Sequence, residues 1–210
     1  TPSVFIGGRS AELRAIDGRT GRTLWEFFNT SERAGPRKAG WFNFFNPQWT
    51  PDLDGDGLRD LLITNGGDAL APPGMPARPS GRVLRVSART GKLLRMAFVP
   101  DGRETYCSPL LADFSPKNGP LSVVFGTGGE TLPGHLYVAP FDDLRAGRFT
   151  RAVAVDSGHR KGFVAPSLLA DLTGDGVLDL VVNAVGGRTA LIDGATLKKR
   201  WQVSYPNAEV

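Results

Sequence analysis

Cysteine is nearly missing from this chain: Cys107 stands alone among 210 residues. One thiol excludes an internal disulfide and leaves the redox compartment open. Set in YCSPLLAD ahead of an apolar run, it reads as a small buried residue rather than a nucleophile. No apolar run reaches about 18 residues, so direct membrane insertion as a helix is excluded. Histidine occurs only twice, as His135 in PGHLY and His159 in DSGHR. Neither has metal-ligand spacing, and both read as turn or surface positions. A basic block is absent too. The 25 Lys and Arg exceed the 21 Asp and Glu by a net +4, but the arginines stand singly and mostly beside turns, as at Arg19, Arg22, Arg59, Arg82, Arg89 and Arg103. That pattern describes a solvated, mildly basic surface and excludes nucleic-acid binding, which needs clustered cations interleaved with aromatics. No segment holds an i, i+3, i+4, i+7 apolar pattern for three turns, which argues against long helices. The chain opens on Thr1-Pro2-Ser3, with no Met and no signal-like apolar segment, so the expectation is a mature or excised segment.

Glycine and proline are plentiful, 27 and 16 residues, which implies many turns without reaching the level that argues for disorder. They also recur. WTPDLD, CSPLLAD and VAPSLLAD open three comparable units whose prolines, 51, 109 and 166, lie 58 and 57 residues apart. Each unit runs on through a short apolar stretch to a glycine pair: LLITNGG to Gly67, VVFGTGG to Gly129 and VVNAVGG to Gly187. A fourth, truncated unit begins at VFIGG with Gly7-Gly8, and the pairs are spaced by 59, 62 and 58 residues. Behind the pairs come LRAIDGRTG (13–21), VLRVSARTG (83–91) and ALIDGAT (190–196), each leading into another strand-like run. Asp, Gly and Thr at these positions are turn chemistry, since Gly takes positive φ cheaply and the side chains bond to the turn backbone.

About four strands per unit, repeating every few tens of residues, predict an all-β fold: a β-propeller of four-stranded antiparallel blades. The expected blades are 1–47, 48–105, 106–162 and 163–210, with extra length in loops 29–47 and 68–81. The first blade lacks its opening strand and the closing NAEV is too short to replace it. The chain is therefore expected to be a segment of a larger propeller, or to complete its ring with another chain or segment. A plain β-sandwich would leave the repeat unexplained.

The segment AIDGRTGRTLWEF (15–27) resembles the repeat of pyrroloquinoline-quinone-type (PQQ-like) propellers. PDLDGDGLRDLLIT (51–64) and ADLTGDGVLDLVVN (170–183) are similar to the FG-GAP/VCBS calcium repeat of integrin-α-like propellers and of many secreted bacterial proteins. These resemblances imply a calcium-binding propeller that is secreted, periplasmic or displayed at the cell surface.

The spacing of the aspartates has its own chemistry. Ca²⁺ takes six to eight oxygens, and carboxylates at alternate positions of a tight loop supply them. Asp52, Asp54 and Asp56 fill positions 1, 3 and 5, the Leu58 carbonyl position 7 and Asp60 position 9. Ile63 stands where an EF-hand needs Glu, so the loop is not an EF-hand. A second copy has Asp171, Thr173, Asp175, the Val177 carbonyl and Asp179. Two Ca²⁺ sites follow, the four-carboxylate loop being expected to bind more tightly. In the third unit Lys117 stands where a carboxylate belongs, so that site is expected to be dead. The bland alternative is that the aspartates form Asx turns by bonding to nearby amides. A catalytic carboxylate pair is disfavoured, because such pairs need two different environments around a cleft.

Asp156-Ser157-Gly158-His159 holds triad residue types, but adjacency in sequence is not triad geometry. The aromatic run GWFNFFNPQW (40–49) is expected to link two blades, either as a plug over the core or as a ligand or partner surface. The preferred function is non-enzymatic: an exported binding, adhesion or scaffold module with a protein or glycan partner. The competing class is the propeller of a secreted polysaccharide-active or PQQ-type dehydrogenase-like enzyme. A quinoprotein of that type is expected to carry a vicinal cysteine pair, which one cysteine cannot supply.

Overall fold

The computed structural model describes residues 3–8, 12–27, 43–67, 72, 79–116, 118–205 and 208. Lys117, most of the loops 29–47 and 68–81, and Gly40, Trp41 and Phe42 of the aromatic run lie outside them. The described chain is all-β apart from one turn of helix, and its strands form four antiparallel sheets in sequence order. The first holds β1 (Ser3–Gly8), β2 (Glu12–Asp17) and β3 (Thr23–Glu26). The second holds β4 (Asn43–Thr50), β5 (Asp60–Gly66), β6 (Arg82–Val86) and β7 (Leu93–Phe98). The third holds β8 (Leu110–Asp113), β9 (Leu121–Gly126), β10 (Gly134–Pro140) and β11 (Val153–Gly158), with α1 (Phe141–Arg145) between its last two strands. The fourth holds β12 (Leu168–Ala170), β13 (Asp179–Ala184), β14 (Arg188–Asp193) and β15 (Lys198–Ser204). Each sheet is a simple meander, every strand pairing with its sequence neighbour. These are the blades of a propeller.

The core lies between the sheets. Successive side chains of a strand point to opposite faces, and the middle strands bury both faces. Leu61 and Ile63 of β5 join Leu84 and Val86 of β6 in a cluster with Leu13 and Phe5 of the first sheet. Leu62 and Val83, on the opposite faces of the same strands, pack with Val123, Phe125, Tyr137 and Ala139 of the third sheet. Val124, Leu136 and Val138 face the other way, against Leu180, Val182, Ala190 and Ile192 of the fourth. Three apolar layers thus hold four sheets. This two-sided burial is why β5, β9 and β13 carry consecutive apolar residues, LLI, VVF and LVV, rather than alternating ones.

Turns also join the sheets. The Asp17 carboxylate accepts from the Arg19 and Thr20 amides at 2.9 and 2.8 Å, and Gly21 closes that turn at φ +70°. The corresponding turn of the second sheet ends at Gly91, φ +72°. Trp25 of β3 lies over it, its indole N–H donating to the Ala88 carbonyl at 2.9 Å. A Cβ at Gly91 would meet the Trp25 ring at 2.6 Å, whereas one at Gly21 would meet nothing within 4 Å.

The aromatic run departs from expectation. Its described part is not a linker but β4, whose register slips between Phe45 and Gln48, where Pro47 offers no N–H to the ladder. Phe44 is buried against Phe27, while Trp49 is half exposed and meets Phe5 edge-on at 5.4 Å.

Gly21→Ala and Gly91→Ala separate backbone strain from blade contact. The first incurs only the left-handed cost of about 1–2 kcal/mol. The second adds displacement of Trp25, so its urea unfolding free energy is expected to fall by at least ~1 kcal/mol more.

Candidate metal loops and their surroundings

The two acidic loops connect the first and second strands of their sheets, and their hydrogen-bonded frames match. Asp52 accepts from the Gly55 and Gly57 amides at 2.8 and 2.9 Å, and Asp171 from Gly174 and Gly176 at 2.7 and 3.0 Å. Asp56 accepts from Leu58 N–H and Asp175 from Val177 N–H, both at 2.9 Å. The four glycines have φ between +76° and +83°, the left-handed region that a side chain resists. A spacing read from the sequence is therefore one shape built twice.

The loops differ in what surrounds the carboxylates. In the first, oxygens of Asp52, Asp54 and Asp60 all lie within 4.8 Å of one another. Asp56 is turned to Arg89, which reaches its carboxylate and its carbonyl at 3.0 Å each. Among the described residues the carboxylates of Asp171, Asp175 and Asp179 do not converge within that distance. The Leu58 side chain is exposed, while Val177 is buried. In the third sheet Asp113 stands at the matching place and accepts from Ser115 and the Gly119 amide.

Asp60 and Asp179 hold the same position but titrate in opposite directions. Burial raises the Asp60 carboxyl above the ordinary 3.8, with the Leu53 amide and Arg85 offsetting only part of the effect. Burial also pushes Asp179 up, but the Gly194, Leu172 and Thr173 amides, at 2.8–2.9 Å, together outweigh it and bring the carboxyl below 3.8. A carboxylate depressed by folding adds stability above its unfolded pKa, and loses it as pH falls through the folded one. A raised carboxylate favours the fold below its unfolded pKa, and that contribution disappears as pH rises through the folded one.

Arg85 escaped the sequence reading, which treated the arginines as surface charge. Its side chain is 0% exposed, on the face of β6 that also carries Val83. One terminal nitrogen donates to Thr50 Oγ1 at 3.0 Å and the Pro51 carbonyl at 2.9 Å, and lies 3.4 Å from Asp60. The guanidinium covers the Phe141 ring of α1 at 4.7 Å, and burial lowers its pKa from 12.5 to about 10. Nε and the second terminal nitrogen are buried without hydrogen-bond partners. Arg82 is also inside, 7% exposed over Phe98. The signal available in sequence was their place within a strand flanked by apolar residues.

The remaining candidates resolve simply. Cys107 is buried, and desolvation pushes its thiol up to about 12, which removes nucleophilic character. Asp156 gives its two carboxylate oxygens to Arg188 at 2.6 Å and Lys199 at 2.7 Å, so the DSGH stretch is an ion-pair centre and not a triad. His135 sits in β10 rather than in a turn, with Nδ1 3.1 Å from the Asp101 carboxylate.

No family model matches the chain, and no curated protein matches it. Solved structures do. A quinohemoprotein alcohol dehydrogenase from Comamonas testosteroni superposes with TM-score 0.57 at 15% identity, over 97% of this chain and 34% of its own. A europium-containing methanol dehydrogenase gives TM-score 0.57 at 13% identity, over 98% and 40%. Quinohemoprotein alcohol dehydrogenase ADHIIG from Pseudomonas putida HK5 gives 0.56 at 16%, over 96% and 33%. The chain spans 33–40% of the length of these neighbours. At such identity the likeness shows the fold, a β-propeller, which agrees with the PQQ-like part of the sequence resemblance.

Asp179→Ala leaves three amides without their acceptor and is expected to lower stability by about 3 kcal/mol at neutral pH. The loss should shrink as pH falls below 3.8, because the wild type then surrenders the same bonds. Urea unfolding of both proteins across that range reads it. Arg85→Met strands a buried carboxylate and is expected to cost about 3–5 kcal/mol. It should also raise the Asp60 pKa further, seen by carboxyl NMR titration.

Proposed function

We propose that this chain is a calcium-stabilised propeller module, exported or displayed at a cell surface, that binds or scaffolds a protein or glycan partner without catalysing a reaction. The observation that carries the reading is the duplicated acidic loop, with the same amide bonds to its first and fifth positions in both copies and three converging carboxylates in the first. Convergent carboxylates repel one another, and a divalent cation relieves that repulsion with ligands of the kind it prefers. The ligand set is Asp52, Asp54, Asp56, Asp60 and the Leu58 carbonyl in the first loop. In the second it is Asp171, Thr173, Asp175, Asp179 and the Val177 carbonyl. Arg85 and Arg89 offset two of the four first-loop charges, so charge alone does not rank that loop above its copy.

Extracellular calcium modules bind at about 10⁻⁴–10⁻³ M, so a site of this kind is filled outside the cytosol and empty inside it. That supports an exported location. No helix among the described residues is long and apolar enough to cross a membrane. Among the described residues the first sheet has three strands, with β1 at its edge, and a strand from another chain or segment would complete it.

A second reading is that this chain is the propeller of a secreted enzyme, PQQ-type dehydrogenase-like or polysaccharide-active; the alcohol-dehydrogenase neighbours bear on the first of these alone. Quinone absorbance after reconstitution, or cleavage of sugar polymers, would move the assignment there.

Thermal and urea unfolding in EDTA and in millimolar Ca²⁺ test the preferred reading. Each filled site is expected to add about 1–2 kcal/mol at several-fold to tens-fold excess over Kd. Asp54→Ala with Asp175→Ala should abolish the gain. In EDTA the double variant should lie about 1 kcal/mol below wild type, the cost of the amide bonds that Asp54 accepts from Asp56 at 3.3 Å and Asp175 from Val177 at 2.9 Å, and calcium should not change its stability. No calcium effect on wild type would reduce the loops to Asx turns.

A further inference from the structure

A groove of about 680 Å³ opens at the seam between the third and fourth sheets, within the size range of small-molecule sites. Its walls come from the turn after β11, the turn between β13 and β14, and the exposed face of β15. His159, Arg160, Lys161, Arg188 and Lys199 line it, and Asp156 stands behind two of them.

Charge is deliberately unbalanced there. The Asp156 side chain is 2% exposed and accepts from both Arg188 and Lys199, so one carboxylate holds two cations. Both cations are fixed as well as charged. Arg188 also donates to the Ser157 carbonyl at 3.0 Å, and Lys199 to Gln202 Oε1 at 3.0 Å. Arg160 is exposed and makes no hydrogen bond or ion pair among the described residues. Next to these charges Gly186 carries no side chain, and a Cβ built on it would meet open space. The groove therefore combines a held excess of positive charge, an uncommitted guanidinium and unobstructed backbone.

We propose that this groove binds a small molecule through an oxyanion group: a phosphate, a sulfate or the carboxylate of a sugar acid. A tetrahedral or planar oxyanion would take charge-assisted bonds from Arg188 and Lys199, whose orientation is set in advance by Asp156, while Arg160 closes over it from the rim. Preorganised cations lose little freedom on binding, which is what separates a site from a merely basic surface. The groove is compact, which suits a small ligand. The site is independent of the acidic loops and of calcium.

Isothermal titration of the full chain with inorganic phosphate, with sulfate and with glucuronate tests the assignment. Saturable millimolar or tighter binding of at least one is expected. Tighter binding of phosphate or sulfate identifies an inorganic-type oxyanion, and tighter glucuronate a sugar acid. Arg160→Gln, which breaks no bond of the fold, should weaken binding several-fold without moving the unfolding midpoint. Arg160→Gln with Lys199→Gln should weaken it about tenfold or more. No saturable binding of any of the three anions, or equal affinity in the double variant, would overturn the proposal.

Discussion

The structure depends on sheets that are apolar on both faces. Leu62 and Ile63, adjacent in β5, belong to two different cores, one shared with the third sheet and the other with the first. A sheet so built cannot rest in water on either side, and stacking with like sheets is the way to cover both. The repeat supplies the neighbours. Burying a Leu, Val or Ile side chain contributes about 1.5–3 kcal/mol, and each interface collects many of them. The loops at the sheet ends have no such restriction and are free to carry charge.

That stacking also explains where unusual electrostatics occur. A long side chain on an interior strand has no polar face to escape to, so Arg85 remains inside, supported by Thr50, Pro51, Asp60 and the face of Phe141. It ties the base of the first acidic loop to the helix of the next sheet. At the seam of the third and fourth sheets a groove opens, and there the balance is met differently. Asp156 gathers Arg188 and Lys199 from the neighbouring sheet at the wall of an open groove. The same ion-pair chemistry works as a buried strut at one seam and as a charged wall at the other.

The two acidic loops show how one local frame diverges under its surroundings. Gly55 and Gly57, like Gly174 and Gly176, set the same backbone path, and Asp52 and Asp171 cap it in the same way. At the ninth position one loop takes one amide and a guanidinium, while the other takes three amides. Their carboxyls consequently shift to opposite sides of the ordinary value. The local motif is common to both, and the proton affinity belongs to the neighbours.

By itself the sequence determined the repeat, the four strands of each complete blade and the turn that places carboxylates at alternate positions. These are local: they follow from period, turn residues and apolar runs within a few tens of residues, and each copy repeats the same physical solution. Tertiary structure decided the rest. Arg82 and Arg85 read as surface charges because a strand buried on both faces has no polar alternation to mark which cations are enclosed. Gly91 could not be told from Gly21 until Trp25, 66 positions earlier in the chain, came to lie on it. The Asp156 cluster joins residues 32 and 43 positions apart, from two sheets. Contacts of that kind are set by how twisted sheets stack, and stacking brings together side chains that nothing in local sequence relates.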